Sequence, residues 1–240
     1  MIRQARAMIE AGDLGDIRVV QAEYPQDWLT TSLENEGLKQ AEWRTDPSRS
    51  GAGGSIGDIG THAHNLACFV TGLKVEQLAA DLHSFGKGRQ LDDNAHMMLR
   101  FSGGAKGMLW SSQVAPGNEN GLKLRVYGNK GGLEWRQEDP NYLWFTPEGK
   151  PRQLLTRSGP GANDHAAAVS RIPAGHPEGY LEGFANLYTE AADAIVAVND
   201  GASRKSAMGL LPGIEEGLAG MAFINACVES SSQNSAWIGL

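Results

Sequence analysis

The sequence predicts an α+β fold, an open, largely antiparallel sheet with helices on one face. Between Val75 and Thr156, short apolar runs follow one another, separated by turn signals such as Gly103-Gly104 and Asn129-Lys130-Gly131-Gly132. Most of the segments with helical spacing lie before or after those runs. Strands segregated from helices in this way make α+β, whereas strict alternation would make α/β. One face of such a sheet packs on the helices, and the other is solvated or covered by a partner.

In chain order, Ile2–Ala11 is a helix whose Ile2, Ala5, Met8 and Ile9 fall near one face, with Gly12 as its stop. Ile17–Trp28 reads as a strand, on which Gln26 and Trp28 face the same side. Leu29–Ser55 is a long polar loop, of a length that usually marks function or disorder, and it carries Trp43 and Arg44. Gly57–Val70 reads as a helix ended by Gly72. Strands are expected over Val75–Phe85, Ala95–Ser102, Ala105–Ala115, Leu122–Tyr127, Leu133–Gln137, Tyr142–Phe145 and Gln153–Thr156, in an antiparallel meander. Ser158–Pro177 is irregular, and helices over Glu178–Val198 and Leu211–Ser230 close the chain. In the first of these, Leu181, Phe184, Leu187, Tyr188, Ala191 and Ile195 form one apolar stripe.

The 240 residues carry a net charge of -7, with scattered Lys and Arg, which argues against nucleic-acid and membrane-surface binding. No apolar run reaches the length of a membrane span, and the spaced apolar residues of the first segment make no signal peptide. Cys68 and Cys227 read as buried thiols, which suits the cytoplasm. The spacing G-x-G-x-x-G occurs nowhere, nor does a G-x-x-x-x-G-K-[ST] phosphate loop, so no complete nucleotide site is expected.

The sharpest chemical feature is Gly53-Gly54-Ser55-Ile56-Gly57-Asp58-Ile59-Gly60-Thr61-His62. Its glycines permit a tight entry into a helix, and free N–H groups there could bind a substrate oxygen. Asp58 and His62, four apart, share a helix face, and a carboxylate beside an imidazole can orient it for removal of a hydroxyl proton. A capping Asp with a satisfied core His is the structural alternative. His62 and His64 lie two apart and point to different faces, so no metal site is expected. Asp92-Asp93-Asn94 reads as a turn before a strand.

The stretch Asp58-Ile59-Gly60-Thr61-His62 resembles the D-x-G-x-H element of the Gfo/Idh/MocA family of dehydrogenases. The opening QARAMIEAGDLGDIRVVQAEY, Arg125–Trp135 (RVYGNKGGLEW) and Arg171–Tyr188 (RIPAGHPEGYLEGFANLY) resemble further family segments in the family's order. The resemblance implies that residues 1–240 form a single substrate-binding and oligomerisation domain, without the family's N-terminal dinucleotide-binding domain. It implies a sugar or polyol substrate, and NAD or NADP bound mainly by that other domain. His62 becomes the candidate proton acceptor and Asp58 its anchoring or orienting partner. His176, in the loop before the penultimate helix, is a candidate for a sugar hydroxyl or a plain surface residue. The aromatic and polar side chains Gln26, Trp28, Trp43 and Arg44 suit a sugar ring or serve as core. Two departures stand out: the family's E-K-P lysine has no counterpart, and Asn65 stands where members often have Asp.

Three functions compete. The leading one is the substrate-binding and catalytic half of an NAD(P)-dependent sugar or polyol dehydrogenase, inactive alone. A non-enzymatic binding or assembly module would keep the sheet but have no use for Asp58 and His62. A family glycosidase or lyase would use a transient hydride transfer. An apolar outer sheet face predicts a homo-oligomer joined sheet to sheet.

Overall fold

The computed structural model describes residues 1–240. Helix α1 (Ile2–Glu10) leads into strand β1 (Ile17–Pro25). The polar segment after it holds a single 3-10 turn (Leu33–Asn35) and two short helices, α2 (Lys39–Arg44) and α3 (Pro47–Ser50). A π-type turn (Ile56–Gly60) opens helix α4 (Thr61–Thr71), which stops at Gly72 in the left-handed region. The strands β2 (Val75–His83), β3 (Asn94–Phe101), β4 (Lys106–Ser112), β5 (Lys123–Gly128), β6 (Gly131–Arg136), β7 (Tyr142–Pro147) and β8 (Gln153–Thr156) follow. The chain then runs through α5 (Asp164–Ala167), α6 (Tyr180–Asn199), α7 (Arg204–Met208), α8 (Ile214–Ser232) and a two-residue strand, β9 (Ile238–Gly239).

The nine strands form one sheet in the order β8-β7-β6-β5-β1-β4-β3-β2-β9. All pairings are antiparallel except β1 with β4, so the expected α+β, largely antiparallel sheet is observed. It is not the simple meander that the strand order in sequence predicts. β1 inserts between β4 and β5, matching Val20 to Gly107 on one side and to Val126 on the other. The inward residues of β1, Val20, Ala22 and Tyr24, are buried, as the central position requires.

Helices α1, α4 and α8 cover one sheet face. Between them and the strands lies a core in which Phe101, Phe223, Leu78, Leu109, Leu124 and Leu133 are almost fully enclosed. Deleting one such side chain typically costs about 2–5 kcal/mol. The other face stays open. Met98 and Met108 are cross-strand partners there and more than half exposed, beside Val19 and Tyr127, which also pair with each other. The apolar stripe of α6 is likewise uncovered, with Leu181 and Tyr188 each 75% exposed and Ala194 its one buried residue. No helix is long and apolar enough to cross a membrane.

The strand registers bring Pro25, His83, Asn94, Ser112, Lys123, Arg136, Tyr142 and Thr156 to one common end of the sheet. β1 ends at Pro25, so Gln26 and Trp28 lie beyond the strand, not along it. The loop that follows is folded back onto this end by a buried cluster. Arg89 pairs with Asp93 at 2.7 Å and with Glu34 at 3.0 Å, and it donates to the carbonyl of Leu29 at 3.2 Å. Asp93 also accepts from the N–H groups of Phe85 and Gly86.

Candidate functional site

The glycine-rich segment crosses the common strand end and starts α4. Its entry is organised by Asp92, which stands just before β3. The Asp92 carboxylate accepts from the N–H of Gly54 at 2.7 Å and of Ile56 at 2.9 Å, while its carbonyl accepts from Ser55 N–H at 2.7 Å. Gly54 is required by this contact, since a Cβ there would lie 2.0 Å from the Asp92 carbonyl oxygen. Burial raises the Asp92 carboxyl above its ordinary range, against the downward pull of the Ile56 and Gly54 N–H groups. The N–H groups of Gly54 and Ile56 are therefore occupied, and the expectation that they are free for a substrate oxygen is corrected for these two.

The single helix expected over Gly57–Val70 is corrected as well. Ile56–Gly60 winds as a π-type turn, a widening often found at functional sites. Asp58 lies in this turn and His62 in the first turn of α4. No hydrogen bond or ion pair joins them. Instead, Asp58 Oδ2 accepts from Gln113 Nε2 at 2.7 Å and pairs with the Arg44 guanidinium. The predicted orientation of the imidazole by Asp58 is thus replaced by two other partners for the carboxylate. His62 is exposed, and its ring meets the edge of Tyr24 at 6.2 Å between centroids. Asn65 is also exposed, one turn further along α4.

His64 faces the opposite way from His62. It stacks on Phe223 at 4.2 Å, with Cys68 Sγ 3.6 Å from its Nε2, and burial lowers it to about 4. The two histidines diverge as the spacing predicts.

Several of the sequence-predicted residues gather at this end. Arg44 lies 5.9 Å from the Trp28 ring and 5.0 Å from the Trp43 ring while it pairs with Asp58. Its Nε is the one buried side-chain nitrogen or oxygen without a partner. Gln26 donates to Asn120 Oδ1 at 2.9 Å, and the Tyr24 hydroxyl donates to the same oxygen at 2.6 Å. His176 sits apart. Its carbonyl accepts from Arg157 at 2.8 Å, beside the edge strand β8, four strands from β1 at the same end of the sheet. That loop is pinned by the buried Arg157–Glu178 pair at 2.7 Å, with Glu178 also accepting from Arg171 N–H.

Sequence reasoning missed Gln113, Tyr24 and Asn120. Gln113 falls within a run read as strand, and its partner is 55 residues away in sequence, so no local spacing reveals it. Asp92 reads in the sequence only as a turn residue, and no local spacing shows that it closes on the glycine-rich entry 36 to 38 residues before it.

The arrangement offers an exposed imidazole, a partly exposed carboxylate with an anchored oxygen, and two tryptophan rings around the arginine that pairs with that carboxylate. The chain matches the GFO/IDH/MocA C-terminal domain over residues 2–134. An uncharacterized oxidoreductase, YfiI of Bacillus subtilis, is 36% identical over 99% of this chain and 61% of its own length. The crystal structure of an oxidoreductase from Sinorhizobium meliloti superposes with a TM-score of 0.84 at 60% identity, covering 99% of this chain and 60% of that one. An inositol dehydrogenase homologue from Azotobacter vinelandii, complexed with NAD+, superposes with a TM-score of 0.92 at 35% identity over 100% of this chain and 62% of that one. The homologue has also been crystallised with NADH and myo-inositol. The chain thus spans about three-fifths of the length of these relatives.

Proposed function

The chain belongs to the GFO/IDH/MocA oxidoreductase family, and on that premise we propose that it is the substrate-binding and catalytic unit of an NAD(P)-dependent polyol or sugar dehydrogenase. The observation that carries this reading is the grouping of His62, Asp58, Arg44, Trp28 and Trp43 at one end of the sheet. Tryptophan rings favour the C–H faces of a cyclic polyol, and the carboxylate suits its hydroxyls. His62, exposed and unpaired, is the group to accept a hydroxyl proton. Asp58, held through Oδ2, anchors a neighbouring hydroxyl. Asn65, Gln26 and His176 remain candidates for further hydroxyls, His176 from a loop that would have to reach in from the sheet edge.

A nicotinamide cofactor would supply hydride chemistry. The residues of this chain do not fit a whole dinucleotide. No glycine fingerprint occurs, and the Gly54 and Ile56 N–H groups are taken by Asp92. The cofactor is therefore assigned mainly to a unit outside these 240 residues, and the isolated chain is expected to be inactive.

The test is to join the chain to a nucleotide-binding unit from a relative and follow NAD+ reduction with myo-inositol. His62→Ala should lower kcat by about 10²–10⁴-fold, the usual weight of a general base. Unchanged turnover would overturn the proton-acceptor role. A non-enzymatic assembly module would show no turnover in either form.

The open sheet face, with Met98, Met108, Val19 and Tyr127 exposed, supports a homo-oligomer joined through that face. Sedimentation at micromolar concentration should give a dimer or larger, and a monomer would count against it. The two free thiols suit the cytoplasm.

A further inference from the structure

Asp58 has two carboxylate oxygens, and the protein uses one. Gln113 Nε2 and the Arg44 guanidinium both meet Oδ2, while no protein group hydrogen-bonds to Oδ1. The carboxylate keeps about a quarter of its surface open, so Oδ1 has a route to a ligand.

The two donors differ in kind. Gln113 follows β4 directly and is only 2% exposed. Its N–H donates to the Asp93 carbonyl at 2.8 Å, and its own carbonyl accepts from Leu29 N–H at 2.9 Å. Its backbone is thereby tied to both the turn before β3 and the loop after β1. Arg44 comes from α2, within that loop, and brings charge. A neutral amide fixes the direction of a carboxylate oxygen without cancelling its charge, whereas a guanidinium does both. A fixed backbone and a buried side chain, shorter than that of Arg44, make Gln113 the reference point for the carboxylate's orientation.

We propose that Gln113 is a positioning residue for Asp58. It holds Oδ2 and so presents Oδ1 as the single acceptor for one substrate hydroxyl. Arg44, delivered by the loop after β1 with the Trp28 and Trp43 rings near its guanidinium, completes the hold on Oδ2. This rests on the polyol dehydrogenase reading. It adds that the hydroxyl contact is set by a residue that never touches the substrate.

The experiment uses the full 240-residue chain and two measurements. The first is calorimetric affinity for myo-inositol. Gln113→Met, checked for its fold by circular dichroism, should weaken binding about ten-fold, the scale of one hydrogen bond to a charged group. Gln113→Glu should weaken it further, since two carboxylates then face each other. Combining Asp58→Asn with Gln113→Glu exchanges donor and acceptor, and should regain affinity over Gln113→Glu alone. A merely space-filling Gln113 would show no such rescue. Undiminished binding by Gln113→Met, alongside lost binding by Asp58→Ala, would overturn the proposal.

The second measurement is the NMR signal of the Gln113 side-chain amide. Slow exchange with solvent in the wild type, lost in Asp58→Ala, is the expected result. Fast exchange in the wild type would overturn the proposal. If the wild type takes up no myo-inositol, the polyol reading fails for that probe, and the amide signal still decides whether Gln113 holds Asp58.

Discussion

Helices α4 and α6 both show apolar spacing in the sequence, yet the fold treats them in opposite ways. α4 buries Ala63, His64, Ala67, Val70 and Thr71 among its eleven residues. α6 has twenty residues and buries Ala194 alone. α4 lies against β1, α1 and α8, whereas the principal neighbour of α6 is the short α7. Apolar spacing therefore states what a helix can bury, and the neighbours present decide what it does bury. The same contrast separates His62 from His64 within α4, one exposed and the other stacked on Phe223.

The strongest way to break this contrast is a pair of truncations. Phe223→Ala, in the core beneath His64, should cost about 3–5 kcal/mol in urea unfolding. Phe184→Ala, 45% exposed on α6, should cost about 0.5 kcal/mol or less. A comparable loss at Phe184 would mean that something covers α6 in solution, and the comparison would fail.

A smaller effect sharpens it. His64 is lowered by burial to about 4, against an ordinary 6.5. The unfolded chain then binds the proton first as pH falls. The contribution from His64 is fully present above about 6.5 and is lost progressively down to about 4, a change of about 3 kcal/mol. Stability measured across that range should fall less steeply in His64→Phe, which stays neutral against Phe223. An unchanged pH slope would show that His64 is solvated.

Much of the sheet was legible in the residues because alternation and turns are local. The limits of β8 were anticipated residue for residue, and Gly103-Gly104 does turn the chain, both glycines having positive φ. The position of β1 was not legible. Nothing in Ile17–Pro25 states that its neighbours will be β4 and β5. At the site, the D-x-G-x-H element pointed to Asp58 and His62, the end of the first strand to Trp28, and the long polar loop to Trp43 and Arg44. The partners of Asp58 were hidden because they come from the loop after β1 and from the residue just beyond β4, 14 and 55 residues away. The π-type turn also escaped notice, since the spacing of Ile56, Ile59 and Ala63 reads as an ordinary helix.

The central place of β1 also has a consequence in time. β1 leaves the ribosome before both its neighbours: its partner in β4 is made roughly 90 residues later and β5 later still. At about 5–20 residues per second, the nascent strand waits about 5–20 s with both edges unpaired. The β3–β4 and β5–β6 hairpins need no such wait, since each closes through a short turn. The strand at the middle of the sheet is thus made before both its neighbours, and it can pair only once they exist. Through that interval its unpaired edges are open to pairing with the wrong strand or the wrong chain.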